Sequence, residues 1–358
     1  MTSHLSSQAL SLTDYGWTPF FQSQLDIDDI ETLTPVRVMA VHRGHLDVAG
    51  PDFTGPLPPV TQPTDDDAGL PTVGDWLLID PETKRVRRVL DRTSVFKRRA
   101  AGTARHTQLI AANVDTLFIV SSCNQDFNVA RLERYLALAR EARVTPLVVL
   151  TKADTTDTPD DFARQAQTLL PGLLVELVDA RDRDSLRCLD PWCVTGQTLA
   201  VVGSSGVGKS TLTNTLLGGG AIATQGIRED DAKGRHTTTG RAVHRLPSGS
   251  WLIDTPGMRE LQLTDVQDGL EDVFADIIEL AAACRFTDCG HETEPGCAVQ
   301  RAIETGSLDP ARLARYRKLA REERFNSETL AERRARFKAF GKMVKSATKD
   351  KKRRRGDG

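Results

Sequence analysis

Gly203-Ser204-Ser205-Gly206-Val207-Gly208-Lys209-Ser210 follows the apolar run Leu199–Val202 and leads into a helical stretch, Ser210–Leu217. The octet matches G-x-x-x-x-G-K-[ST], the phosphate-binding loop that joins a buried strand to a helix. Its glycines let the backbone curl so that N–H groups face phosphate oxygens, and the helix N-terminus adds a favourable dipole. In such a loop Lys209 reaches the β- and γ-phosphates and the Ser210 hydroxyl ligates Mg²⁺, with Thr211 extending the nucleotide-binding run. The loop therefore predicts a nucleoside triphosphate site on an α/β domain.

The flanking sequence agrees. From Asn113 the pattern alternates strand and helix: Leu117–Val120, then Val129–Ala142 with Leu132, Leu136 and Ala139 on one face, then Leu147–Leu150, then Asp161–Leu170. Continuous apolar strands alternating with helices indicate a parallel sheet covered on both faces. Downstream, the strand Trp251–Ile253 ends in Asp254-Thr255-Pro256-Gly257, a D-x-x-G pattern. Asp254 is expected in the outer shell of Mg²⁺, and the Gly257 N–H against the γ-phosphate.

The base is read from Thr151-Lys152-Ala153-Asp154, which ends the strand Leu147–Leu150 and resembles N-K-x-D with Thr in place of Asn. Asp154 would accept from guanine N1 and N2, and the Lys152 stem would lie along the base. Adenine offers no such donor pair, so it would leave a buried carboxylate unpaired; this argues against an ATP-dependent kinase. Ala180, after Val178-Asp179, could offer its N–H to guanine O6. The order of these motifs is unusual, because the base motif precedes the phosphate loop. All the loops belong to the carboxyl ends of strands in one sheet, so moving the chain break leaves such a site intact.

Gly234-Arg235-His236-Thr237-Thr238-Thr239-Gly240 lies between the loop and Asp254. Thr238 is the expected Mg²⁺ ligand that senses the γ-phosphate, with Thr237 and Thr239 as alternatives. Met258 follows the D-x-x-G, and a thioether cannot orient a water. His236 is the candidate to do so. Further on, Cys284, Cys289, His291 and Cys297 fall within 14 residues. Cys₃His is a closed tetrahedral zinc set, with no position left for catalysis. Cys123, Cys188 and Cys193 read as ordinary thiols.

The 358 residues are 39% hydrophobic and 27% charged, a globular balance that excludes global disorder. No apolar run approaches a membrane span and the N-terminus lacks a secretory pattern, which predicts a cytoplasmic protein with no membrane partner. The charge is asymmetric: Ala331–Gly358 carries 12 Lys/Arg against 3 Asp/Glu, while the net charge of the whole chain is −2. A basic tail on an acidic body points to a polyanionic partner. Lys84–Arg105 holds nine Lys/Arg and one acid, a candidate second phosphate-contacting surface.

The expected organisation is multidomain. Residues 1–34 form a flexible lead-in. Residues 35–100 form an oligonucleotide-binding (OB) β-barrel, predicted from short strands with turn signals and with Gly50–Pro71 as loop. A permuted α/β P-loop domain (101–267), a helical zinc-binding domain (268–340) and a basic tail (341–358) follow.

Taken together, the loop Gly203–Ser210, the switch Gly234–Thr239, Asp254–Gly257, the early Thr151–Asp154 and the four zinc ligands resemble the bacterial small-ribosomal-subunit-dependent GTPases, RsgA, also called YjeQ. The resemblance covers Pro35 to the C-terminus. It implies an OB domain, a circularly permuted GTPase domain and a C-terminal zinc domain. It implies slow hydrolysis of GTP to GDP and phosphate, stimulated by the small (30S) subunit late in its maturation, with contact to 16S rRNA. The implied cofactors are one structural Zn²⁺ and Mg²⁺ with GTP; the implied catalytic set is His236, Thr238 and Lys209, in a chain expected to be a monomer. The alternative is an RNA-binding module in which GTP acts mainly as a sensory ligand.

Overall fold

A computed structural model describes residues 9–42, 44–60, 69–99, 107–218, 241–254 and 266–327. Short helices α1 (Pro19–Gln22) and α2 (Ile27–Thr32) lead into β1 (Thr34–Val41), β2 (Leu46–Ala49), β3 (Thr54–Leu57), β4 (Trp76–Ile79) and β5 (Val86–Val89). β1 pairs antiparallel with both β2 and β4, β2 with β3, and β4 with β5, giving the order β3-β2-β1-β4-β5. Val36, Val38, Leu46, Val48, Leu57, Leu77 and Ile79 enclose a small core of their own within these strands. Thr54–Leu57 lies inside the expected loop Gly50–Pro71. Its Thr-Gly-Pro-Leu sequence has no apolar alternation, and its backbone ladder to β2 is what makes it a strand. A separate hairpin, β6 (Val95–Arg99) with β7 (Thr107–Ala112), follows.

The central α/β unit contains β8 (Thr116–Ser122), α3 (Val129–Glu141), β9 (Thr145–Thr151), α4 (Pro159–Gln167), β10 (Leu174–Leu177), β11 (Thr198–Gly203), α5 (Lys209–Leu216), β12 (Arg241–Arg245) and β13 (Trp251–Asp254). Its strands run β10-β9-β8-β11-β13-β12, all parallel except β12. Counted from β11, the order is that of a sheet whose first strand carries the phosphate loop, whose second is antiparallel at one edge, and whose last three have moved to the front of the chain. This is the circular permutation that the motif order predicts. β8, β9 and β11 are buried almost throughout because both faces are covered.

The N-terminal strands continue this sheet: Ala40 and Val41 of β1 pair with Ala242 and Arg241 of β12. The residues expected to form a loose lead-in close the same seam. Tyr15, Trp17 and Phe21 are buried, and Tyr15 stacks on Trp251 with ring centroids 5.4 Å apart. Trp251 Nε1 donates to the Asp14 carbonyl at 2.7 Å. Arg37, 1% exposed, donates to the Tyr15 carbonyl at 2.6 Å and to Thr198 Oγ1 at 2.7 Å. Burial lowers its pKa to about 10. Scattered aromatics in a polar segment read as disorder only when the surface they cover is unknown.

Beyond residue 266, α6 (Gln267–Val273), α7 (Ala275–Ala282), α8 (Ala298–Glu304) and α9 (Pro310–Ser327) complete the described chain. α6 lies against α3 at backbone contact: a Cβ on Gly269 would fall 2.1 Å from the Ala137 carbonyl oxygen. Glu133 of α3, 0% exposed, accepts from Arg315 Nε at 2.8 Å and Arg312 Nη1 at 3.3 Å, both on α9. Arg134 forms a bidentate pair with Glu322, both bonds 2.5 Å. No described helix is long and apolar enough to cross a membrane.

Candidate GTP site and metal centre

The phosphate loop, the base motif and the Ala180 turn all leave the same edge of the parallel sheet. The register places Gly203 beside Val120, Ser122 beside Thr151, and Leu177 beside Leu150. β8 and β11 are neighbours whose connections run to opposite sides, so the loop sits where an open α/β sheet forms its ligand crevice. Gly203 has φ +145°, and a Cβ there would lie 2.2 Å from the Val120 carbonyl oxygen, so no larger residue fits the turn. Val207 is buried beneath the loop and Gly208 caps α5. Lys209 Nζ donates to the Ser204 carbonyl, and Ser204 Oγ receives Arg131 Nη1 from the start of α3. Ser205, Ser210 and Thr211 are exposed on the loop side, Ser210 and Thr211 opening α5.

Thr151, where the guanine motif usually carries Asn, is fully buried; its hydroxyl lies 2.6 Å from the Val207 carbonyl and 3.1 Å from the Ser121 carbonyl. It therefore ties the base motif to the phosphate loop. Lys152 takes φ +57°, which turns the chain sharply out of β9 into Ala153 and Asp154. Asp154 Oδ2 accepts from Arg181 Nη2 at 2.6 Å, and Arg181 also holds both oxygens of Asp179 at 2.9 Å. These contacts hold the Asp179 carboxyl below its ordinary value and raise the Arg181 guanidinium. The Ala180 carbonyl accepts from Thr215 Oγ1 of α5 at 2.7 Å. Asp154 and Ala180 are thus brought together beside the loop. Asp254 ends β13, while His236, Thr237, Thr238, Thr239, Gly257 and Met258 lie outside the described residues.

A family model described as RsgA GTPase matches residues 89–264. Small ribosomal subunit biogenesis GTPase RsgA 2 of Vibrio vulnificus is 51% identical over 347 residues, covering 97% of each chain. The chain belongs to the RsgA GTPase family. The RsgA of Mesorhizobium japonicum is 50% identical over 326 residues, 90% of this chain and 93% of that one. Among solved structures, YjeQ from Thermotoga maritima aligns with a TM-score of 0.57 at 22% identity, over 80% of this chain and 97% of that one. YloQ, described as a circularly permuted GTPase, aligns at 0.56 and 23%, over 83% and 97%. These two likenesses bear on fold, and they share the permuted architecture traced above. Membership makes the chain a GTP hydrolase.

The RsgA-family chain also carries the Cys/His cluster near its C-terminus. Cys284 Sγ and Cys297 Sγ are 3.8 Å apart, and His291 Nδ1 lies 3.6 Å and 3.5 Å from them. With Zn–S of about 2.3 Å and Zn–N of about 2.05 Å, a tetrahedral ion requires edges of about 3.8 Å and 3.6 Å. Cys289 completes the set, all four ligand atoms lying within 4.8 Å of one another. The donor set and its spacing fit Zn²⁺. The Ala298 and Gln300 N–H groups reach Cys284 and Cys297 Sγ, both at 3.4 Å. Such donors favour a thiolate.

Sequence reasoning did not find Glu294, whose carboxylate accepts from the Gly290, Glu292 and Thr293 N–H groups at 2.8, 2.7 and 3.0 Å and so holds the loop that presents His291. Nor did it find Arg131 or Arg181. For Arg181 the signal was available, since Asp179-Ala180-Arg181 follows a strand end as Thr151–Asp154 does. For Arg131 there was none, because its partner is 73 residues away. The basic stretch Lys84–Arg105 is partly consumed internally. Arg87 pairs with Asp80, Arg88 with Asp29 and Arg92 with Asp75.

Proposed function

We propose that the chain is a GTPase of small ribosomal subunit biogenesis: it binds the small subunit through 16S rRNA, and subunit contact stimulates a slow hydrolysis of GTP. The observation that carries this is the match over 97% of both chains with a relative named for that role, and the gathering of the phosphate loop and the base motif at the carboxyl ends of the sheet supports it. Water attacks the γ-phosphorus, the bond to the β-phosphate oxygen breaks, and GDP and inorganic phosphate leave. Lys209 and the N–H groups of Gly203–Ser210 hold the phosphates; Asp154, Lys152 and Ala180 read guanine; His236 orients the water. Ser210 and Thr238 would hold Mg²⁺, with Asp254 in its outer shell and Gly257 at the γ-phosphate. The ion supplies charge neutralisation on the transferred group.

In this reading β1–β5 form an OB-type barrel, supported by their order and separate core. The helices after residue 266 form a domain around one structural Zn²⁺, supported by the ligand spacing. The protein acts in the cytoplasm as a monomer, and its basic tail adds rRNA affinity. The test is steady-state GTP hydrolysis with and without purified small subunits. A low basal rate raised about tenfold or more by the subunit supports the reading. Demonstrated binding without stimulation overturns it and favours GTP as a sensory ligand of an RNA-binding module.

A further inference from the structure

A second group of metal-ligating side chains lies far along the sequence from the cysteine cluster. His42 ends β1, His45 precedes β2, and Asp47 is on β2. The His42 N–H bonds the His45 carbonyl at 3.0 Å. Leu46 and Val48 are buried, so alternation sends Asp47 outward to the side that carries the two imidazoles. The rings stack with centroids 4.3 Å apart and planes 20° from parallel. Each aims Nε2 at a different oxygen of the same carboxylate, His42 at Oδ2 (2.9 Å) and His45 at Oδ1 (3.4 Å).

We propose that His42, His45 and Asp47 form a second metal site, one that takes a divalent transition ion of the zinc, cobalt or nickel class. Three observations converge. The donors are two imidazoles and a carboxylate, which suits these ions and not Mg²⁺ or Ca²⁺. The three ligand atoms already lie within 4.8 Å of one another. An ion bonded at about 2.05 Å to nitrogen and about 2.1 Å to oxygen requires an N–O edge of about 3.4 Å. The His45–Asp47 distance is 3.4 Å, and the His42–Asp47 distance of 2.9 Å must open by about half an ångström. The side chains are 27–45% exposed, so water can complete the coordination and the ion can exchange. An ion here would clip the β1–β2 turn immediately beyond Val41, whose partner is Arg241 of β12. It would therefore stiffen the end of the seam that joins the N-terminal strands to the GTPase sheet.

The test is a Co²⁺ titration of the full-length untagged chain whose cysteine cluster is already loaded with zinc, followed by equilibrium dialysis and visible absorption. The expected result is one further equivalent of cobalt with the intense visible d–d bands of a tetrahedral ion and no thiolate-to-cobalt charge-transfer band. H45A and D47N, each shown by thermal melting to be folded, should lose that equivalent; H42Q replaces whichever of them fails to fold. The proposal is overturned if no further equivalent binds. It is equally overturned if the equivalent persists in the folded variants, or if its spectrum carries thiolate charge transfer.

Discussion

The buried Thr151 hydroxyl predicts that Thr151→Val will damage nucleotide binding although it keeps the shape of the side chain. In the native chain that hydroxyl lies 2.6 Å from the Val207 carbonyl, within the phosphate loop, and 3.1 Å from the Ser121 carbonyl. Thr151 is fully buried, so no water can replace the lost donor. Valine leaves at least one carbonyl unsatisfied, which costs about 1–3 kcal/mol. If the full penalty falls on the loop conformation that binds phosphate, the Kd for GDP rises about 5- to 150-fold, at 1.4 kcal/mol per factor of ten. Thr151→Ser keeps the hydroxyl and loses one methyl group, about 0.8 kcal/mol or somewhat more. The assay is a titration with a fluorescent GDP analogue, run beside urea unfolding of all three proteins. Valine weaker than serine in both measurements is the expected order. Valine indistinguishable from the native protein in both would refute the claim that this side chain pins the loop. A stability loss with unchanged GDP affinity would refute only its link to binding.

Removing Arg181 frees the Asp154 carboxylate, so Arg181→Ala should bind GDP more tightly in the same titration; weaker binding would mean that Arg181 holds the nucleotide itself. Glu133→Ala removes the buried carboxylate shared by Arg312 and Arg315, but Arg312 keeps Asp276 and Arg315 keeps Asp309, so it should cost about 1–3 kcal/mol in urea unfolding. The Thr83 N–H and the Arg87 guanidinium hold the Asp80 carboxyl well below its ordinary value. Its contribution is therefore present above the unfolded carboxylate pKa of about 3.9 and is lost as pH falls through the lower folded value. The stability gap between native protein and Asp80→Asn should accordingly be full at neutral pH and close in acid. Burial raises the Cys123 and Cys188 thiols to about 11 and the Cys193 thiol to about 12. These three should react slowly with a thiol reagent at pH 8, and with the Cys/His cluster loaded with zinc as proposed, a chelator should expose three further thiols.

The strand–loop–helix turn at Gly203–Ser210, the turn after β9 and the Cys/His cluster were legible because each is local. The loop's glycines, the turn at Lys152 and the spacing from Cys284 to Cys297 are decided by neighbours within a few residues. The permutation was legible from motif order alone. What could not be read depends on contacts between distant segments. β3 exists because β2 offers it a ladder. Residues 11–17 are ordered because Trp251 and Arg37 donate to their carbonyls, Trp251 offers a ring face to Tyr15, and Gly196 packs closely against Gly16. The charge count of Lys84–Arg105 could not reveal which arginines were already spent on Asp29, Asp75 and Asp80.

The permutation also explains why those long-range contacts collect on α3. With the usual first strand moved to the middle of the chain, β8 and α3 come early, and α3 starts beside the phosphate loop, where Arg131 meets Ser204. The chain leaves the sheet after β13 and folds back across the same helix. Gly269 lets α6 approach its backbone, and Glu133 and Arg134 hold α9. One 13-residue helix therefore touches the phosphate loop at its first turn and the C-terminal helices further along. A rigid helix moves as a unit, so a displacement of the C-terminal helices large enough to shift Glu133 must also shift Arg131, two residues away. The Glu133→Ala protein distinguishes this from a purely structural ion pair. If α3 positions the loop, the variant should lose GDP affinity under conditions where it is fully folded, and if the pair only fastens α9, affinity should stay at the native value.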